Sequence, residues 1–297
     1  MEVRTVAVIG AGIMGRGIAH AAALGGYRTI LEDILPSALR RAGDEIRANL
    51  DKAVELGKVT ADEAQKAMGR MEYAGAVDEA ARAADLVIEA VPEEMESKLE
   101  IFTLMDKICR PETILASNTS SLSITEIASV TYRPKKCVGM HFFNPVHKMK
   151  LLEIVRALET SDDTLATAVE VGRRMKKEVV VIKESPGFIT SRINAMIGNE
   201  AFYMLQEGIA SAEDIDKALK MGLNHPMGPF ELVDLVGLDT RLHILEYLHK
   251  TLGEKYRPSP LLVQYVKAGR LGRKAGRGVF SYSEQTPRPA EAAKEGK

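Results

Sequence analysis

Up to about residue 184, short and near-continuous apolar runs alternate with amphipathic stretches, the pattern of a parallel sheet buried on both faces. Strands are predicted over residues 5–9, 27–31, 85–91, 113–116, 136–140, 151–155 and 178–182. From Pro36 the apolar positions Leu39, Ala42, Ile46, Leu50 and Ala53 recur at intervals of three and four, the period of one helix face. Leu56-Gly57-Lys58 ends that helix. Thr60-Ala61-Asp62-Glu63 then reads as a capping box opening a second helix through about Arg70. This helical hairpin, over 36–70, is predicted to stand out from the sheet.

From Phe188 onward the spacing is helical throughout. Ile189, Ile193, Met196, Ile197, Met204 and Leu205 mark a long helix that Gly208 ends, and Ser211 caps the next, which ends at Gly222. Pro229 and Pro260 each suit a first helical position. The expected fold is α/β: a Rossmann-type doubly wound sheet with an inserted helical hairpin over 1–184, then an all-α C-terminal domain over 185–282. Apolar positions spread over wide helix faces predict a homodimer formed through that second domain. Residues 283–297 are mostly Glu, Pro, Ala and Lys and are predicted to be a disordered tail.

The first strand runs into Gly10-Ala11-Gly12-Ile13-Met14-Gly15, and Asp33 follows the second strand. A strand, a GxGxxG turn, a helix, a second strand and an acid form the dinucleotide fingerprint in its required context. Gly10 permits the tight turn, Gly12 lets backbone approach a pyrophosphate, and Gly15 seats the helix against the strand. The helix starting near Ile13 and Met14 points its N–H groups at the phosphates. Asp33 accepts from a ribose 2′-hydroxyl and repels a 2′-phosphate, and Glu32 adds a second negative charge, so NAD is favoured over NADP. An acidic pair that merely ends a strand is the alternative.

Composition narrows the classes without choosing among them. At 45% apolar and 27% charged, 297 residues can bury a core. A net charge of −1 with no basic block argues against a nucleic-acid partner. No apolar run nears the ~20 residues of a membrane span, and no signal peptide precedes the first strand. Cys109 and Cys137 lie far apart without metal-type spacing, so no metal is expected, and reduced thiols point to the cytoplasm.

Two segments follow strands at the end where α/β sheets bind ligands: Ser117-Asn118-Thr119-Ser120-Ser121 and His141-Phe142-Phe143-Asn144-Pro145. Twelve residues after His141, Glu153 lies inside an apolar strand, where a carboxylate is costly unless paired. A turn through Asn144 to Lys150 could bring it to the imidazole, fixing one tautomer and making His141 a general base. Pairing of Glu153 with Lys148 or Lys150 is the alternative. The hairpin's Arg40, Arg41, Arg47, Lys52 and Lys58 could meet a phosphorylated substrate or simply face solvent.

VIGAGIMGRGIA, ASNTSSLSIT, GMHFFNPVHKMKLLEIV, SPGFITSRI and HPMGPFELVDLVGLDT, in one order over residues 3–282, resemble the 3-hydroxyacyl-CoA dehydrogenase family, close to its bacterial short-chain 3-hydroxybutyryl-CoA members. The resemblance implies NAD-dependent interconversion of 3-hydroxyacyl-CoA and 3-ketoacyl-CoA in fatty-acid metabolism. It implies His141 as base, Glu153 as its partner, Ser120 as the contact to the substrate oxygen, and Asn144 beside the nicotinamide. Glu93, Lys98 and Lys274 correspond to cofactor contacts, and Asn49 and Lys52 are candidates for CoA. Where the family often has asparagine before the arginine of PGFxxNR, this chain has Ser191. That serine either acts through a water or yields its role to Asn194 or Asn199. The rival readings are a dehydrogenase of a free hydroxy acid and a non-enzymatic NAD-binding protein.

Overall fold

The computed structural model describes residues 2–283 and 286–289. The chain divides into two compact units, the first ending at Ser185 and the second starting at Pro186. In the first unit, eight strands form one sheet: β1 (Thr5–Ile9), β2 (Arg28–Glu32), β3 (Met71–Ala74), β4 (Leu86–Glu89), β5 (Ile114–Ser117), β6 (Cys137–Phe142), β7 (Leu151–Arg156) and β8 (Glu178–Lys183). Their order is β3-β2-β1-β4-β5-β6-β7-β8. All neighbours are parallel except β6 and β7. The order reverses between β1 and β4, which opens a crevice beyond their carboxyl ends.

Seven helices complete this unit: α1 (Ile13–Leu24), α2 (Pro36–Glu55), α3 (Ala61–Gly69), α4 (Val77–Ala81), α5 (Met95–Ile108), α6 (Ile124–Ala128) and α7 (Asp162–Arg174). Val6, Val8, Leu86, Ile88, Val138, Met140, Leu152 and Ile154 present one sheet face to a core shared with α1, α2, α3 and α7. The intervening Ala7, Ile9, Val87 and Leu115 are buried on the other face, as alternation along a strand requires. Both faces are covered, which is why the strands read as unbroken apolar runs.

Ala42, Ile46 and Leu50 of α2 and Ala64 and Ala67 of α3 join the main core through α1, against which both helices of the hairpin pack. The capping box is present: Thr60 Oγ1 accepts from Glu63 N at 3.1 Å, and Thr60 N donates to Glu63 Oε2 at 2.9 Å. The strand β3 and the short α4 were not legible in the sequence, because β3 is an edge strand with two exposed residues and no long apolar run.

The second unit contains α8 (Thr190–Gln206), α9 (Ala212–Gly222), α10 (Pro229–Val236), α11 (Leu238–Leu252) and α12 (Pro260–Lys267). Its core gathers Ala195, Phe202, Phe230, Leu245, Leu248 and Tyr256, with Phe202 and Phe230 edge to face at 5.2 Å. The unit is helical up to a last extended segment, which the Gly-Arg-rich turn at 272–278 predicts. The strand β9 (Phe280–Ser283) pairs antiparallel with β10 (Thr286–Pro289), inside what the sequence assigned to a disordered tail. Residues 284–285 and 290–297 of that predicted tail lie outside the described residues. Buried Asp234 fixes β9 to α10, accepting from the N–H groups of Val279 and Phe280 and from the Tyr282 hydroxyl at 2.8–2.9 Å.

Candidate active site

The glycine turn follows β1 at the crevice. Gly10 has φ +97°, and a Cβ there would lie 2.9 Å from the Ala90 carbonyl oxygen. A Cβ on Gly15 would collide with the Gly10 carbonyl, so only glycine lets α1 start this close to the strand. A Cβ on Gly12 would meet nothing within 4 Å, which leaves open space over the turn where a ligand's phosphates can come close. Ile13 is exposed and Met14 half-buried at the start of α1. These features fit a dinucleotide with its pyrophosphate at a helix N-terminus.

Asp33 and Glu32 behave differently. Asp33 is half-buried, and its carboxylate accepts from Ala11 N and from Leu35 N, each at 2.9 Å. The acid is thereby held against the glycine turn itself. Glu32 is 2% exposed, and its Oε1 has no hydrogen-bond partner among the described residues. Burial and the neighbouring Asp33 push its carboxyl up to about 7. Glu32, read from the sequence as a second negative charge, is thus an interior carboxyl that burial disfavours in its ionised form.

His141 lies near the end of β6 and Glu153 sits directly opposite on antiparallel β7. The imidazole Nδ1 is 2.7 Å from Glu153 Oε2, and both side chains are buried. A buried carboxylate can only accept here, so Nδ1 carries the proton and Nε2 is the basic nitrogen. Lys148 and Lys150, the other partners considered for Glu153, are exposed in the turn. Phe143 packs against the imidazole, ring centroids 4.4 Å apart.

Ser120 stands half-buried in the loop after β5. Its N–H and its hydroxyl both donate to Glu93 Oε1, at 2.7 and 3.0 Å, and Thr119 Oγ1 donates to the same oxygen at 2.7 Å. Burial works to raise the Glu93 carboxyl, but Lys98 and these donors outweigh it and hold it below its ordinary value. Lys98 is 1% exposed, so it lines no open surface; its ammonium is 2.7 Å from Glu89 Oε1 and 3.3 Å from Glu93 Oε2. Glu89 was missed in the sequence, although the argument that singled out Glu153 applies to it equally: a carboxylate ending an apolar strand needs a partner. Asn118 was also passed over. Its Oδ1 accepts the Phe142 N–H at 3.0 Å, tying the Ser120 loop to the His141 strand.

A cavity of about 190 Å³ opens beside the loop after β6. Arg16 and His20 of α1, Glu45 and Asn49 of α2, and Asn144 and His147 of the loop line it. Three of the predicted site residues, Ile13, Asn49 and Asn144, thus share one pocket, while Lys52 is exposed and paired with Glu55 at 2.8 Å. Arg16 and Glu45 are joined at 2.6 Å. The His20 and His147 rings lie parallel at 5.9 Å, and burial, with His147 and Lys177 nearby, pushes His20 down to about 4.

Two predicted residues belong to the second unit. Ser191 is half-buried in the first turn of α8. Lys274 is exposed, with its ammonium 2.7 Å from Asp239 Oδ2. Among the described residues no group of three or more His, Cys, Asp or Glu side chains could hold a metal ion, and no helix is long and apolar enough to cross a membrane. Cys109 and Cys137 are unbridged and buried, each thiol pushed up to about 11 by burial.

Comparison with known proteins follows the two units. The family model for the 3-hydroxyacyl-CoA dehydrogenase NAD binding domain matches residues 5–185, and the model for the C-terminal domain of the same family matches 187–282. A probable 3-hydroxybutyryl-CoA dehydrogenase of Bacillus subtilis is 47% identical over 96% of this chain and 100% of its own length. The 3-hydroxybutyryl-CoA dehydrogenase of Bradyrhizobium diazoefficiens is 45% identical over 97% and 98%. The crystal structure of (S)-3-hydroxybutyryl-CoA dehydrogenase from Ralstonia eutropha superposes with a TM-score of 0.92 at 43% identity, covering 95% of this chain and 100% of that one.

Proposed function

The chain belongs to the 3-hydroxyacyl-CoA dehydrogenase family, and from that premise we propose that it oxidises (S)-3-hydroxyacyl-CoA thioesters to 3-ketoacyl-CoA with NAD, and runs the reverse reduction. Short chains such as 3-hydroxybutyryl-CoA and acetoacetyl-CoA are its substrates. The observation that carries this reading is the buried His141–Glu153 pair at 2.7 Å, set in the same unit as the glycine turn and Asp33.

His141 accepts the proton of the 3-hydroxyl at Nε2. Glu153 accepts from Nδ1–H, selects that tautomer and stabilises the imidazolium as it forms. Ser120 donates its hydroxyl to the 3-oxygen and orients it. Gly10, Gly12 and Gly15 would hold the NAD pyrophosphate and Asp33 its ribose, and the bound cofactor would supply the hydride acceptor. The pocket shared by Asn49 and Asn144 takes the thioester arm of CoA. A second copy of the chain packs through the second unit, supported by the exposed apolar residues Ile193 and Met196 of α8 and Leu235 and Val236 of α10. Reduced, buried thiols suit a cytoplasmic enzyme.

The test is NADH oxidation with acetoacetyl-CoA, compared with longer 3-ketoacyl-CoA thioesters, free acetoacetate and NADPH. Turnover should be fastest with acetoacetyl-CoA and NADH. Equal turnover of free acetoacetate would instead indicate a hydroxy-acid dehydrogenase, and equal use of NADPH would remove Asp33 as the selector.

A further inference from the structure

Four side chains around the ends of β4 and β5 form a polar cluster below Ser120: Glu89, Glu93, Lys98 and Ser117. Glu89, Ser117 and Lys98 are at most 1% exposed. Glu89 Oε1 accepts from Lys98 Nζ at 2.7 Å and from Val91 N at 2.8 Å, and Oε2 accepts from Ser117 Oγ at 2.6 Å. Lys98 then reaches Glu93 Oε2 at 3.3 Å, and the other Glu93 oxygen takes all three donors from Thr119 and Ser120. Two carboxylates flank one ammonium, and none of these groups can turn to water without leaving a buried charge unpaired.

We propose that Glu89, with Lys98, is a positioning residue for the reaction, acting through Glu93 to set the hydroxyl of Ser120. The inference rests on the activity proposed above and adds a residue to it. Glu89 anchors the ammonium, and the ammonium keeps Glu93 ionised and turned toward the loop. Glu93 in turn holds both the backbone N–H and the hydroxyl proton of Ser120. When the 3-oxygen of a substrate arrives, Ser120 redirects only its hydroxyl; its N–H and Thr119 stay on Glu93, so the loop keeps its place. The position of Oγ is thus held by a carboxylate that keeps its grip on the loop through the exchange, which lowers the cost of ordering it in the transition state. Glu89 and Lys98 never touch the substrate.

The test is a cycle of variants: Ser120→Ala, the double variant Glu89→Gln/Lys98→Met, and the three combined. The double variant removes the two fully buried charges together and leaves Glu93 with its three donors from Thr119 and Ser120, and its melting temperature shows whether the fold survives. It should lower kcat for acetoacetyl-CoA reduction about ten-fold or more with KM within about three-fold, and adding Ser120→Ala should change kcat by less than about two-fold. Losses that multiply across the cycle would overturn the proposal, because they would place Glu89 and Lys98 in a structural role independent of Ser120. Should the double variant not fold, Ser117→Ala removes one hydrogen bond to Glu89 and one accepted from Thr119 N, and leaves the ion pair intact. Its smaller loss, about two- to five-fold, must likewise vanish in the Ser120→Ala background, and persistence would overturn the proposal. Absence of acetoacetyl-CoA turnover in the unmodified chain would instead sink the activity itself.

Discussion

Asn118 Oδ1 accepts the backbone N–H of Phe142 at 3.0 Å, so the loop that carries Ser120 is fastened to the strand that carries His141. Ser120 and His141, proposed above to act on the substrate, stand at the ends of adjacent parallel strands, and this amide adds a tie beyond the end of their ladder. Asn118 is itself held, its N–H donating to the Glu89 carbonyl at 2.9 Å. Asn118→Ala should therefore lower kcat about five-fold or more, in line with the ~1–3 kcal/mol cost of leaving a buried N–H unpaired. Steady-state kinetics and a denaturation curve check both parts. A silent variant would mean the two strand ends keep their spacing without it.

The dyad makes a stronger prediction. Glu153→Gln should lower turnover by roughly 10²–10⁴-fold while NADH still binds, because charge support for the imidazolium is lost. His141→Ala should be at least as damaging, and the double variant little worse than the poorer single one. NADH affinity measured by fluorescence separates a failed base from a failed fold.

Buried Glu32 gives the fold a pH dependence of its own. Its folded carboxyl is raised to about 7 from an ordinary 4.5 by burial and by Asp33. The folded state thus binds more proton than the unfolded state between those values, and stability falls as pH rises through that window. Above it, where the carboxyl is ionised in both states, the accumulated loss approaches ~3 kcal/mol. Glu32→Gln should be more stable than the parent at pH 8 and nearly equal to it at pH 4. Urea denaturation across that range reads the difference, and parallel curves would exclude Glu32 as its source.

Ser191 tests the departure from the asparagine often found at that position. If its hydroxyl serves the reaction, Ser191→Ala should cost about five-fold in turnover, the ~1 kcal/mol of one neutral hydrogen bond. Ser191→Asn should then be tolerated. Were the role carried by Asn194 or Asn199, alanine would be nearly silent and asparagine harmful through crowding. Rates for both variants with acetoacetyl-CoA decide it.

The sequence by itself determined whatever local rules govern. The glycine turn, the unbroken apolar strands and the capping box at Thr60 each need only neighbouring residues, and each stands where the spacing put it. Its five ordered motifs also identified the family, and the cost of an unpaired carboxylate pointed to Glu153.

What only the tertiary structure decided were contacts between segments far apart in the chain. The antiparallel register of β6 and β7 chose His141 over Lys148 or Lys150 as the partner of Glu153. Packing of α2 and α3 against α1 fixed where the hairpin's apolar face goes. Burial made Glu32 a titrating interior group and set Lys98, a cofactor contact by resemblance, between Glu89 and Glu93. The strand Thr286–Pro289, read from composition as disordered, was fixed by pairing with β9. In each case the deciding quantity, exposure or a cross-chain distance, depends on which distant segments pack together, and no window of neighbouring residues contains it.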